Sequence, residues 1–179
     1  MNNDLRPPST VLLADAVDRV LRKSCEYLSW VYAILIAVIL LQITLRRGFS
    51  TGLIALEELQ WHLYAIGVLF GVIYAQATNS HVRVDVLQSR FSARAKSVTE
   101  IVGILLLAMP FLFVVFIHSL DFVAESWRIN ERSLAPAGLP WRWLIKSMIP
   151  ISVGLMMLAF INNLYRESVL LIRGNNHGN

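Results

Sequence analysis

The sequence predicts an all-α integral membrane protein with four transmembrane helices, cytoplasmic N- and C-termini, and short amphipathic helices lying in the membrane plane. Three observations lead there. Of 179 residues, 56% are hydrophobic and only 16% are charged, against about 25% charged in soluble domains. Four windows contain no Asp, Glu, Lys or Arg: Tyr27 to Leu45, Leu59 to Val82, Ile101 to Leu120 and Ser147 to Tyr165, with lengths of 19, 24, 20 and 19 residues. A helix needs about 20 residues to cross roughly 30 Å of hydrocarbon, so each window has the length of one crossing. Third, the basic residues are distributed unevenly. Ten lie in the N-terminal arm (Arg6, Arg19, Arg22, Lys23), the central loop (Arg83, Arg90, Arg94, Lys96) and the tail (Arg166, Arg173), whereas the other two loops hold six (Arg46, Arg47, Arg128, Arg132, Arg142, Lys146). The positive-inside rule puts the richer side, and with it both termini, in the cytoplasm.

In chain order, residues 1–25 form a cytoplasmic arm, 26–170 a four-helix membrane domain with spans near 27–45, 58–80, 99–120 and 144–165, and 171–179 a tail. Within VLLADAVDRVLRKS, residues 11–24, the positions Val17, Val20, Leu21 and Ser24 share one helical face, which predicts an amphipathic helix at the cytoplasmic interface. The first window has no small-residue cleavage site after it and reads as a retained span. Between the second and third windows, NSHVRVDVLQSRF alternates at Val82, Val84 and Val86. It also places Val84, Leu87, Phe91 and Ala95 at helical spacing. A lone strand would leave its backbone unpaired at the membrane, so a short in-plane helix is expected, with Ser92 as a cap for the helix after it. Pro110, near the middle of the third span, predicts a kink. The third helix should overshoot its span and carry His118, Asp121, Glu125 and Arg128 as one polar stripe. Pro140 and Pro150 set the start of the last helix and a bend within it. Trp30, Trp61, Trp127, Trp141 and Trp143 fall at span ends, where indole favours the headgroup region.

Chemistry-bearing patterns are scarce. The single cysteine, Cys25, reads as a buried thiol. No span has an acid, lysine or arginine near its middle, where ion and proton pathways place them. Glu57 and Glu58 at the start of the second helix are explained by the helix dipole, and Asn162 and Asn163 by hydrogen bonds between helices or by headgroup contacts. The net charge of +4 does not signal nucleic acid, because the basic residues border lipid. His62 and His118 stand at similar expected depth and offer one enzyme-class alternative, a small b-haem electron-transfer subunit. The residues otherwise name no cofactor and no metal site.

With HVRVD after the second span, the chain resembles the small membrane subunit of tripartite ATP-independent periplasmic (TRAP) transporters, the DctQ-like family. The residues carrying the resemblance are Glu57, Glu58 and Trp61, Gly71, the turn His81, Val82, Arg83, Val84, Asp85 and Leu87, and GLPWRWLIKSMIP at 138–150. Family members often have a basic residue and a glycine before the histidine, where this chain has Gln76, Asn79 and Ser80. The resemblance implies a non-catalytic multi-pass subunit in a bacterial inner membrane, surrounded by lipid. Its implied partners are a large membrane subunit that carries the substrate and sodium sites, and a periplasmic protein that delivers an organic acid. On that reading His81, Arg83 and Asp85 are structural, and Glu57, Glu58, His118, Asp121, Glu125 and Arg128 are the candidate partner surface. A self-contained homo-oligomeric transporter is the other alternative.

Overall fold

The computed structural model describes residues 11–78 and 93–175. The HVRVD turn with His81, Arg83 and Asp85, the expected in-plane helix and the Ser92 cap therefore lie outside the described residues. Among the described residues all regular structure is helical: α1 (Leu12–Leu28), α2 (Trp30–Gly48), α3 (Ile54–Ala77), α4 (Ala93–Gly103), a π turn (Ile104–Ala108), α5 (Met109–Arg128) and α6 (Arg142–Asn175).

Among the described residues three helical stretches are long and apolar enough to cross a membrane: Leu13–Gly48, Ala95–Arg128 and Arg142–Val169. The fourth expected span falls on α3, whose 24 residues reach about 36 Å but carry Glu57, Glu58, Gln60 and His62 in the first turns and Gln76 in the last. Position explains the polarity. The helix packs against α1, α2 and α6, so protein rather than lipid surrounds much of it, and its Gly67, Phe70 and Ile73 are buried. Phe70 and Ile73 form the core with Cys25, and Leu28, Ile66, Leu69, Met148, Leu155 and Met156 close around them.

The amphipathic helix α1 runs on into α2: Ser29, between them, keeps right-handed helical dihedrals (φ −62°, ψ −22°), so Leu13–Gly48 is one continuous helical stretch. The buried face of α1 is Val11, Ala14, Leu21 and Cys25, which shares Leu21 with the expected face and is rotated to the side of it. Val20 is 64% exposed, and with Val17 and Ser24 it lines an open apolar groove against Phe70, Leu155 and Leu158. The amphipathic pattern alone could not tell which of two adjacent apolar faces meets protein.

Glycine permits one close approach at the α2–α3 contact. A Cβ on Gly67 would run into the Tyr32 ring, so only glycine lets that ring lie against the α3 backbone. The kink expected at Pro110 takes the form of the π turn just before it: the Met109 N–H bonds the Ile104 carbonyl, and Pro110 comes next, in the first turn of α5. Widening the helix there relieves the clash between the proline ring and the preceding turn. α6 starts at Arg142 and runs on through Pro150.

Candidate functional site: two polar clasps

Polar side chains converge in two layers. The first is built on the opening turns of α3. Glu57 and Glu58 were expected to act through the helix dipole, yet the N-cap of α3 is Leu53 with no side-chain cap bond, and both carboxylates reach distant segments. Glu57 accepts from the buried Gln42 Nε2 at 3.3 Å and stands 3.8 Å from Arg46 Nη1, while Gln42 Oε1 accepts the Leu53 N–H at 3.4 Å. Three groups thus fasten the end of α2 to the start of α3. Glu58 accepts the Ser133 hydroxyl and, at 2.6 Å, the Leu139 N–H. It thereby holds the loop between α5 and α6.

That loop is fixed at both ends. α5 closes in a Schellman motif, with Asn130 N–H bonded to Trp127 O at 3.0 Å, Glu131 N–H to Ser126 O at 2.9 Å, and Asn130 left-handed at φ 47°. At the other end Trp141 also has positive φ, 59°, a conformation a bulky residue holds only under constraint. The constraint is visible next door, where Arg142 N–H donates to Glu131 O at 3.1 Å and the Glu131 carboxylate pairs with Lys146 and, at 3.7 Å, Arg142. The hydrogen bond from Lys146 holds the Glu131 carboxyl below the usual carboxylate range. Lys146 also stands 3.8 Å over the Phe122 ring, and Trp127 meets Trp143 edge-on at 4.5 Å. At the centre, a Cβ on Gly138 would strike the Ser133 side chain and Glu58.

The second layer is built on α6. Asn162, almost fully buried, donates to Ala14 O at 3.0 Å and Asp18 Oδ1 at 2.7 Å, and Asn163 donates to Glu100 Oε1 on α4 at 2.8 Å. One turn on, Arg166 Nη2 lies 2.7 Å from both Asp15 Oδ1 and Asp18 Oδ2. Adjacent asparagines thus reach opposite neighbours, and one guanidinium bridges two aspartates of α1. The asparagines do what the sequence suggested, while the Asp15–Asp18–Arg166 cluster was missed. The spacing of Asp15 and Asp18 by three residues was its only sequence signal.

Of the remaining candidates, His118, Asp121, Glu125 and Arg128 do share one exposed stripe of α5. Glu125 and Arg128 pair with each other at 2.8 Å, a solvent-facing i,i+3 contact of small value. His62 lines a groove under Leu139, Pro140 and Trp141 between α3 and α6, whereas His118 faces outward from α5. The structure does not bring the two histidines together around a common centre.

Comparison with known proteins points in the same direction. No curated protein and no solved structure matches the chain. Residues 35–169 match the family described as "Tripartite ATP-independent periplasmic transporters, DctQ component". That span runs from α2 into the last turns of α6, about three quarters of the chain. A transporter component rather than an enzyme, the chain belongs to the DctQ family of TRAP transporters.

Proposed function

We propose that this chain is the stationary scaffold of a TRAP-type secondary transporter in a bacterial inner membrane, spanning it four times with both termini in the cytoplasm. It steadies the large transport subunit and helps a periplasmic binding protein dock for ion-coupled uptake of an organic acid. One observation carries the reading: the Asp, Glu, Lys and Arg side chains of the described helices lie in the two clasps and beyond, and the windows of α2, α3, α5 and α6 without such residues separate them. A chain that moved ions or organic acids by itself would mark its pathway with such groups, so the transport sites belong to the partner.

The outer clasp supports the docking role. Glu57 and Glu58 hold the two loops in fixed shape, leaving Asp121, Glu125, Arg128 and the loop tip at Leu134 on the surface as the contact for the binding protein. His81, Arg83 and Asp85 serve assembly in this reading. Replacing Asp85 with alanine should lower the yield of complex while the isolated binding protein keeps its substrate affinity.

Copurification tests the proposal. The chain, expressed with the large subunit and the binding protein, should elute with the large subunit, and vesicles containing the chain alone should transport nothing. A lone oligomer that accumulates an organic acid in vesicles would refute the scaffold role and establish the self-contained transporter in its place.

A further inference from the structure

A groove between the α1–α2 junction and α3 straddles the level at which the charged arm gives way to the first charge-free window, at Tyr27. It encloses about 350 Å³, and its polar lining is Glu26, Ser29, Tyr32 and Tyr74. That size suits a small molecule or a lipid headgroup rather than a helix about 10 Å across. The floor is glycine. The Tyr32 ring covers Gly67, whereas Gly71 is exposed, and a Cβ added there would meet only the Tyr32 hydroxyl, at 4.0 Å.

The polar groups are sorted by depth. At the shallow end Glu26 pairs with Arg22 one turn before it, 3.4 Å apart and both about half exposed. Such a pair contributes little to stability, so both charges are available to a ligand that carries both signs. Tyr32 lies six residues farther on, about 9 Å along the helix, and there it and Tyr74 bring phenol hydroxyls into the groove. Neither hydroxyl has a hydrogen-bond partner among the described residues. Deeper still the neighbouring surface is apolar and exposed, with Ile36 one turn beyond Tyr32 and Val68 one turn beyond Gly71.

We propose that this groove binds a phospholipid whose headgroup carries a primary ammonium, as in phosphatidylethanolamine. The ammonium donates to the Glu26 carboxylate, the phosphate faces Arg22, ester oxygens accept from Tyr32 and Tyr74, and an acyl chain passes over Gly71. The headgroup chemistry discriminates among lipids. A choline ammonium has no N–H to give Glu26, and a glycerol headgroup sets an anionic lipid beside a carboxylate with no cation to offset it. The assignment needs only that the chain lies in a membrane, so it stands or fails independently of the scaffold reading.

Native mass spectrometry tests it on the full chain, purified with whatever chains accompany it and stripped of lipid in detergent. Dioleoyl phosphatidylethanolamine, phosphatidylcholine and phosphatidylglycerol are titrated separately. The ethanolamine lipid should bind about tenfold more tightly than either of the others, the size of one hydrogen bond to a charged group. Glu26→Gln should erase that preference, and Gly71→Leu, which fills the floor, should weaken the ethanolamine lipid to the level of the others. The near-isosteric pair Tyr32→Phe and Tyr74→Phe should weaken all three lipids and keep their ranking. Equal binding of the three lipids in the parent, a preference for the glycerol headgroup, or a preference that survives Glu26→Gln would overturn the proposal. So would undiminished ethanolamine-lipid binding in Gly71→Leu or in the phenylalanine pair.

Discussion

The two clasps solve one problem in different places. On α3, adjacent carboxylates reach out to a neighbouring helix end and to loop groups, where water remains within reach and an ionised acid keeps part of its hydration. On α6, adjacent amides and one guanidinium reach α1 and α4 in a layer where Asn162 is 7% exposed. An unpaired charge there would cost several kcal/mol of desolvation. Both layers set carboxylates against a cation and a buried amide, Glu57 with Arg46 and Gln42 in one and Asp18 with Arg166 and Asn162 in the other. They differ in what they tie, helix ends and a loop in the first and helices side by side in the second.

The largest test of that contrast is Arg166→Ala, which leaves Asp15 and Asp18 facing each other beside α6. Breaking a buried pair costs about 3–5 kcal/mol, and because the Arg166 side chain keeps 27% of its exposure the expected loss is about 2–3 kcal/mol. A drop in thermal midpoint in detergent should result, and adding Asp15→Ala and Asp18→Ala should recover part of it. An unchanged midpoint in the single variant would remove the inner clasp as a stabilising element.

Gly138→Ala should come next, because its methyl group collides with Ser133 and Glu58 and overpacking costs about 1–3 kcal/mol. Limited proteolysis between 129 and 141 should accelerate, and Ser133→Gly should slow it again by opening the space. Glu58→Ala should loosen the same loop with a smaller change in thermal midpoint, since water can replace the lost acceptor. If the loop stays equally resistant in Glu58→Ala, that carboxylate does not hold it.

Acid should act on the outer clasp through Glu131. Lys146 depresses its folded-state pKa, so its contribution is fully present above the unfolded carboxylate value near 4.3 and is lost as pH falls through the lower folded value. Thermal midpoints measured from neutral pH down to about pH 3 should fall less steeply in Glu131→Gln than in the parent. The smallest effect belongs to Glu125→Ala, which breaks an exposed pair and should leave the midpoint where it was. A sizeable drop there would mean that the α5 stripe is structural within the chain.

Sequence reading located the helices because membrane crossing leaves a one-dimensional trace, a charge-free window of about 20 residues. It also found the stripe on α5, which depends only on helical spacing, and the bonding role of Asn162 and Asn163. What it missed is long-range. Glu58 meets Ser133 across 75 residues and Leu139 across 81, and Asp15 meets Arg166 across 151. No local pattern at Glu58 distinguishes a loop clasp from a dipole effect. The burial of α1 escaped for a related reason: two neighbouring faces of Leu12–Leu28 are both apolar, and only the positions of α3 and α6 decide between them.

The continuity of α1 and α2 through Ser29 has a consequence for the surrounding bilayer. Asp18 and Gln42, one in each clasp, stand 24 residues apart on that stretch, about 36 Å along the helix. On α6, Lys146 and Arg166 are 20 residues apart, about 30 Å. Both separations are of the order of a hydrocarbon slab about 30 Å thick, so in short-chain lipids the expected response is a stronger lean of the helices.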